Sequence, residues 1–203
     1  MDTTSYIALS RQIALQRQMA VVANNLANMT TSGFKSEEML FQTVLERAGE
    51  PRTLNFVHDV SVVRDPLEGP LVTTSNPLDL AISGQGHFVV ATPDGNRFTR
   101  NGHFSLANDG TLVDAEGRSV LDAGGAPIVV PAGDTAISVA ADGTISNRAG
   151  VIGRIGMVGF ASQYSLSAEG SGLLNSDTPA GPAAGRIVQG ALEASNVQAI
   201  GQM

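Results

Sequence analysis

The chain has 203 residues; 42% are hydrophobic and 15% charged, so it holds enough apolar matter for a core and is neither a collagen-like nor a strongly charged disordered polymer. Its 12 basic and 19 acidic residues give a net charge of −7, which argues against a nucleic-acid surface or an anionic-lipid binder and favours protein partners. Cysteine is absent, which excludes disulfide frameworks, thiolate metal sites and cysteine nucleophiles.

Met1 to Leu15 carries polar residues throughout, so no secretory h-region is expected, and no apolar run is long enough for membrane insertion. The first glycine is Gly33 and the first proline Pro51, which predicts a helical arm over residues 1–35. Within it Leu15, Met19, Val22, Leu26 and Met29 are spaced 4, 3, 4 and 3, a heptad seam whose backward extension meets Gln12 and Ala8. A helix over residues 4–30 would reach about 40 Å, long for so small a chain. A terminal helix with one apolar stripe, followed by a glycine-rich body of another periodicity, reads as an arm that packs on partner helices. Asn24, Asn25 and Asn28 cluster in its last turns, where asparagine bonds locally or across an interface.

Residues 36–59 are ambiguous: Met39, Leu40, Phe41, Val44 and Leu45 could form a short helix, and the segment is read as a connector. Over residues 60–185 the apolar period becomes two, with strands expected at 78–82, 88–91, 97–100, 104–106, 111–113, 119–121, 128–130, 137–139 and 152–160. Turn signals separate them, among them Asp94-Gly95, Asp109-Gly110, Glu116-Gly117 and Asp142-Gly143. Close strands with no helical pattern between them predict an all-β body, antiparallel and sandwich- or barrel-like, and exclude a doubly wound α/β sheet. Residues 186–203 resume a helix-like composition and are read as a return segment and the start of a C-terminal helix.

Chemistry-bearing constellations are few. His58, His87 and His103 have neither the spacing nor the carboxylate partners of a metal site; His87 and His103 are expected to be half-exposed sheet residues. Gly84-Gln85-Gly86 precedes a strand and so offers no helix N-terminus to a phosphate. Asp109, Asp114, Glu116 and Asp122 lack the alternation of a calcium loop and are better explained by turn sterics. Ser171, between Gly170 and Gly172, has no evident base. No catalytic residue, cofactor, metal or small-molecule substrate is expected.

Three ordered blocks carry a family resemblance. Residues 23–35, Ala-Asn-Asn-Leu-Ala-Asn-Met-Thr-Thr-Ser-Gly-Phe-Lys, closely resemble the N-terminal signature of bacterial flagellar rod and hook proteins, including Asn24, Asn25, Asn28, Gly33, Phe34 and Lys35. Residues 78–90 continuing into 98–104 resemble the strand block of these proteins, and residues 190–197 resemble the segment that leads into their C-terminal helix. His87 stands where the family commonly has an aromatic. Within the family, the lack of a large insertion and the segment Phe56-Val57-His58-Asp59 look most like the proximal-rod members, with distal-rod and hook-type axial proteins as the alternative.

The resemblance implies a non-enzymatic structural subunit of the basal-body rod. It implies passage through the flagellar type III export apparatus without a cleaved signal, assembly in the periplasm with other proximal and distal rod proteins, and terminal helices packed in a coiled-coil-like axial core. The opposing class is a glycan-binding or glycan-hydrolysing β domain, but tryptophan is absent and Tyr6 and Tyr164 are the only tyrosines, which weakens sugar stacking.

Overall fold

The computed structural model describes residues 3–47, 53–131, 136–162 and 165–198. The chain opens with helix α1, Thr3–Ala27. It stops one turn short of the sequence expectation because Asn28 turns its amide back: Nδ2 donates to the Asn24 carbonyl at 2.9 Å and to Asn24 Oδ1 at 3.0 Å, while Oδ1 accepts from the Thr31 hydroxyl at 3.2 Å. A side chain that bonds its own backbone competes with helix continuation, and Met29 therefore lies in the turn beyond the helix.

The segment read as a connector is instead most of a long antiparallel ribbon. Strand β1, Glu37–Arg47, pairs with β2, Thr53–Arg64, from Glu37 opposite Arg64 to Arg47 opposite Thr53, with a bulge at Leu40/Phe41. The apolar cluster of residues 39–45 carries no clean period, and its pairing partner is a separate strand, so local pattern alone could not separate helix from strand. A two-stranded ribbon is marginal by itself in water; here α1 packs against both of its strands.

The body is all-β, as expected, and its strands pair antiparallel throughout. Six of them form one sheet. In chain order these are β5, His87–Thr92, β6, Gly95–Thr99, β12, Met157–Gly159, β13, Leu166–Gly170, β14, Leu173–Ser176, and β15, Gly181–Pro182; across the sheet the order is β13-β14-β6-β5-β12-β15. Smaller pairings surround it. Strand β7, Ser105–Leu106, pairs with β8, Leu112–Val113, and β9, Ser138–Val139, with β10, Thr144–Asn147, and β11, Gly150–Arg154, forms a three-stranded unit. The segments expected at 119–121 and 128–130 are present as single bridges, Val120 to Val90 and Val129 to Thr111. Among the described residues the sheets do not close into a barrel.

Residues 186–193, expected to begin a helix, are two strands. Strand β16, Arg186–Gln189, pairs with β4, Leu80–Ser83, and β17, Ala191–Glu193, pairs with β3, Leu71–Thr73. Their composition suits a helix, but the open edges of β4 and β3 supply ladder partners that no local pattern reveals. The last residues of the expected helix, 199–203, lie outside the described residues.

One apolar core joins these pieces, centred on Leu80, Ile82, Phe88, Val90, Phe104 and Ile155, with Phe88 and Phe104 meeting edge to face at 5.1 Å. Gly102 lets two backbones meet beside it: Leu80 N–H donates to its carbonyl at 2.9 Å, and a Cβ there would stand 1.6 Å from the Leu80 oxygen. Ile187 of β16 is 4% exposed and belongs to the same core. Ile187→Ala should therefore lower stability by about 2 to 5 kcal/mol; urea unfolding followed by circular dichroism checks this, with a shifted midpoint and an unchanged slope expected.

Candidate functional site

The three sequence blocks converge on one place, the neck where the chain leaves α1 and the ribbon and enters the body. Glu193, at the end of β17, is 1% exposed and shares its carboxylate between two cations. Lys35 Nζ pairs with Oε1, and Arg100 Nε lies 2.8 Å from Oε2, in charge contact but outside hydrogen-bond alignment. Gly69 N–H donates to Oε1 at 3.0 Å. Arg100 is held further by the carbonyls of Gly84, at 2.9 Å, and Gly86, at 2.7 Å. The Gly84-Gln85-Gly86 turn thus presents oxygens to a guanidinium, the opposite polarity from a phosphate cradle. Burial pushes the Lys35 pKa below the usual lysine value, while the bond to Glu193 opposes that shift.

Gly33 is the reason the arm can come so close. It sits at φ 73°, and a Cβ there would lie 2.5 Å from the Arg100 carbonyl carbon and 2.6 Å from the Asn101 nitrogen. Its N–H donates to the Glu193 carbonyl at 2.7 Å. Asn25, fully buried, fixes α1 to the ribbon by behaving as a strand neighbour: Nδ2 donates to the Glu37 carbonyl at 2.8 Å, and Oδ1 accepts from the Glu37 N–H at 2.9 Å. Asn24 Nδ2 donates to Glu37 Oε2 at 3.1 Å. Of the two roles that the sequence leaves open to the motif asparagines, these bonds belong to the local one, inside this chain's own neck. Phe34 is half-buried and lines a cleft of about 210 Å³ between the end of the arm and the β13–β14 hairpin.

The seam lies on another face. Leu15, Met19, Leu26 and Met29 are exposed at 61%, 72%, 54% and 42%, and Val22 is half-buried; Leu9 and Ile13 add to the exposed set. The face turned inward is made mostly of small and polar residues: Ala14 and Asn25 are buried on it, and Val21 and Asn28 are half-buried. A search for apolar periodicity finds the outward stripe and passes over the inward one.

Sequence reasoning singled out Lys35 and Gly33 but not Arg100, Glu193 or Asn196. The available signal was charge placement: Glu193 is the one charged residue in 190–197, and Arg100 the one in 98–104. His87 corrects the expectation of half-exposure. It is 4% exposed because β5 is a central strand covered on both faces, and its ring meets Phe160 edge to face at 5.7 Å. Burial, with Arg100, Lys35 and Arg64 nearby, lowers its pKa to about 3. His103 bonds Asp79 at 2.8 Å, and the side chain of His58 lies outside the described residues. The turn carboxylates are engaged by their own turns: Asp109 Oδ1 accepts from Thr111 N–H, Asp122 Oδ1 from Gly124 and Ala126, and Asp114 pairs with Arg118 at 2.6 Å.

A helical arm with an open apolar stripe, clasped through a buried ionic neck to an all-β body, defines a structural subunit built to join others. Comparison with known proteins makes this specific. The model of the flagella basal body rod protein family matches residues 6–35, ending on Lys35, and the model of the flagellar hook protein FlgE/F/G D1 domain matches residues 81–147, which include Arg100. The chain is 39% identical to the flagellar basal-body rod protein FlgF of Caulobacter vibrioides over 98% of its own length and 84% of the relative's. It is 35% identical to FlgF of Mesorhizobium japonicum, covering 100% and 86%, and 33% identical to FlgG of Bacillus subtilis, covering 95% and 84%. The chain belongs to the flagellar basal-body rod protein family.

His87 gives the neck a pH signature. Its folded pKa lies below the unfolded value, so the unfolded chain binds the extra proton, and the stability present above the ordinary histidine pKa drains away as the solution is acidified toward the folded value of about 3. Relative to a His87→Phe variant, the native chain should lose about 2 to 3 kcal/mol between pH 7 and pH 4.5. Parallel urea titrations across that range check it, and superimposable pH profiles for the two proteins would count against the assignment.

Proposed function

We propose that this chain is a non-enzymatic subunit of the proximal part of the flagellar basal-body rod, and that the α1 stripe of Leu15, Met19, Val22, Leu26 and Met29 is its contact with neighbouring rod subunits. One observation carries the reading: Leu15, Met19 and Leu26 are exposed on a helix whose other face is already held by its own ribbon, and Met29, in the turn just beyond it, is exposed as well. A row of large apolar side chains left in water on an otherwise docked helix marks an interaction surface. Three relatives named FlgF, at 35 to 39% identity, support the proximal assignment. The periplasm as the place of assembly, and the flagellar export apparatus as the route to it, follow from the same reading.

The mechanical role follows from the division of labour. A rod that transmits torque needs subunits locked by apolar seams, and each seam must be presented at a fixed angle to the body that makes the lateral contacts. Leu26→Asp should abolish incorporation into basal bodies and swimming, since truncating a buried leucine costs about 2 to 5 kcal/mol and burying a charge costs more. Residue 26 is exposed in the single chain, so the purified variant should melt like the native protein. Normal swimming by that variant would sink the stripe as an assembly surface.

A further inference from the structure

Two stretches of chain lie at the neck: residues 33–36, which join α1 to β1 within the arm and ribbon, and residues 65–70, which lead from β2 into the body. Both are held by the same short segment, 193–196, through Glu193, Ala194 and Asn196. On the first stretch, Gly33 N–H donates to the Glu193 carbonyl at 2.7 Å, Asn196 N–H to the Phe34 carbonyl at 3.4 Å, and Ser36 N–H to Asn196 Oδ1 at 2.6 Å. On the second, Asn196 Nδ2 donates to the Leu67 carbonyl at 3.0 Å, Gly69 N–H to Glu193 Oε1 at 3.0 Å, and Ala194 N–H to the Pro70 carbonyl at 2.9 Å. Lys35 and Arg100, one from each side of the neck, meet on the Glu193 carboxylate.

We propose that residues 193–196 are a latch: while they occupy the neck, the arm and ribbon are fixed in one orientation on the body, and when they leave, the neck becomes a hinge. The residues nearest the start of the chain thereby depend on residues near its end, and the apolar stripe is aimed only after the C-terminal strand has docked. Glu193 is the positioning residue. Without its charge, Lys35 and Arg100 would face each other in a buried site, and the low-cost way to hydrate them is to open the neck. The apolar core makes none of these contacts, so the body persists when the latch opens. The α1–ribbon unit also persists, because Asn25 and Glu37 bind each other without the latch.

The chain has no cysteine, so two introduced ones label cleanly. Gln18→Cys on the exposed face of α1 and Val151→Cys on the body, 74% exposed, would carry spin labels on the full chain, diluted in a large excess of unlabelled protein to suppress signals between molecules. The native neck should give one narrow distance distribution by double electron–electron resonance. Adding Glu193→Gln or Asn196→Ala should broaden it at least about twofold while amide exchange in β5 and β6 stays slow. An unchanged width in both variants overturns the latch. So does broadening accompanied by lost protection in β5 and β6, since Glu193 would then hold up the whole body and not its joint with the arm.

Discussion

The carboxylate of Glu193 is the constraint on which the rest of this molecule depends. It lies in a site closed to solvent, where an unpaired charge is costly and a paired one is tolerated only with good geometry and further hydrogen bonds. Lys35, Arg100 and the Gly69 amide supply those partners, and each comes from a different stretch of chain. Satisfying one buried anion therefore obliges the arm, the central strands and the C-terminal strand to meet. Hydrophobic burial, which is not directional, could hold the body together but could not choose the angle at which the arm leaves it.

That choice explains features that look wasteful in isolation. The helix keeps mostly small and polar residues for its inward face, where Asn25 matches the backbone of Glu37 at two points, and leaves most of its large apolar residues outside. Docking by hydrogen bonds fixes rotation about the helix axis as well as distance, because both Asn25 bonds fail if the helix turns. The consequence is an apolar stripe with a defined direction. Gly33 serves the same end, since any side chain there would push the arm away from Arg100.

The body contributes rigidity through an antiparallel network with a single core. Its central strand β5 is covered on both faces, by Phe88 and Val90 on the core side and by His87 and Val89 on the other, all four of them buried. The neck sits against the His87 face, so the joint with the arm rests on the best-supported strand of the sheet. A membrane span is absent from the described helices, and the carboxylates of Glu193, Asp114 and Asp109 are engaged in ion pairs and turns.

By itself the sequence determined the features that depend on neighbours in the chain. The helical arm follows from the absence of glycine and proline before residue 33, the heptad stripe from its spacing, and the β body from period-two alternation punctuated by Asp-Gly turns such as those at Gly110 and Gly143, at φ 83° and 90°. The motif blocks also announced the family. Only the tertiary structure decided what depends on partners distant in sequence. The ribbon of β1 and β2 and the return strands β16 and β17 had compositions that fit more than one conformation, and their ladder partners settled the matter. The burial of His87 and the pairing of Lys35 with Glu193, 158 residues apart, could not be read from neighbours in the chain, although Glu193 stands as a lone charge in its block. Periodicity reports which side of an element is apolar, whereas an ion pair between remote residues is fixed by the path of the whole chain.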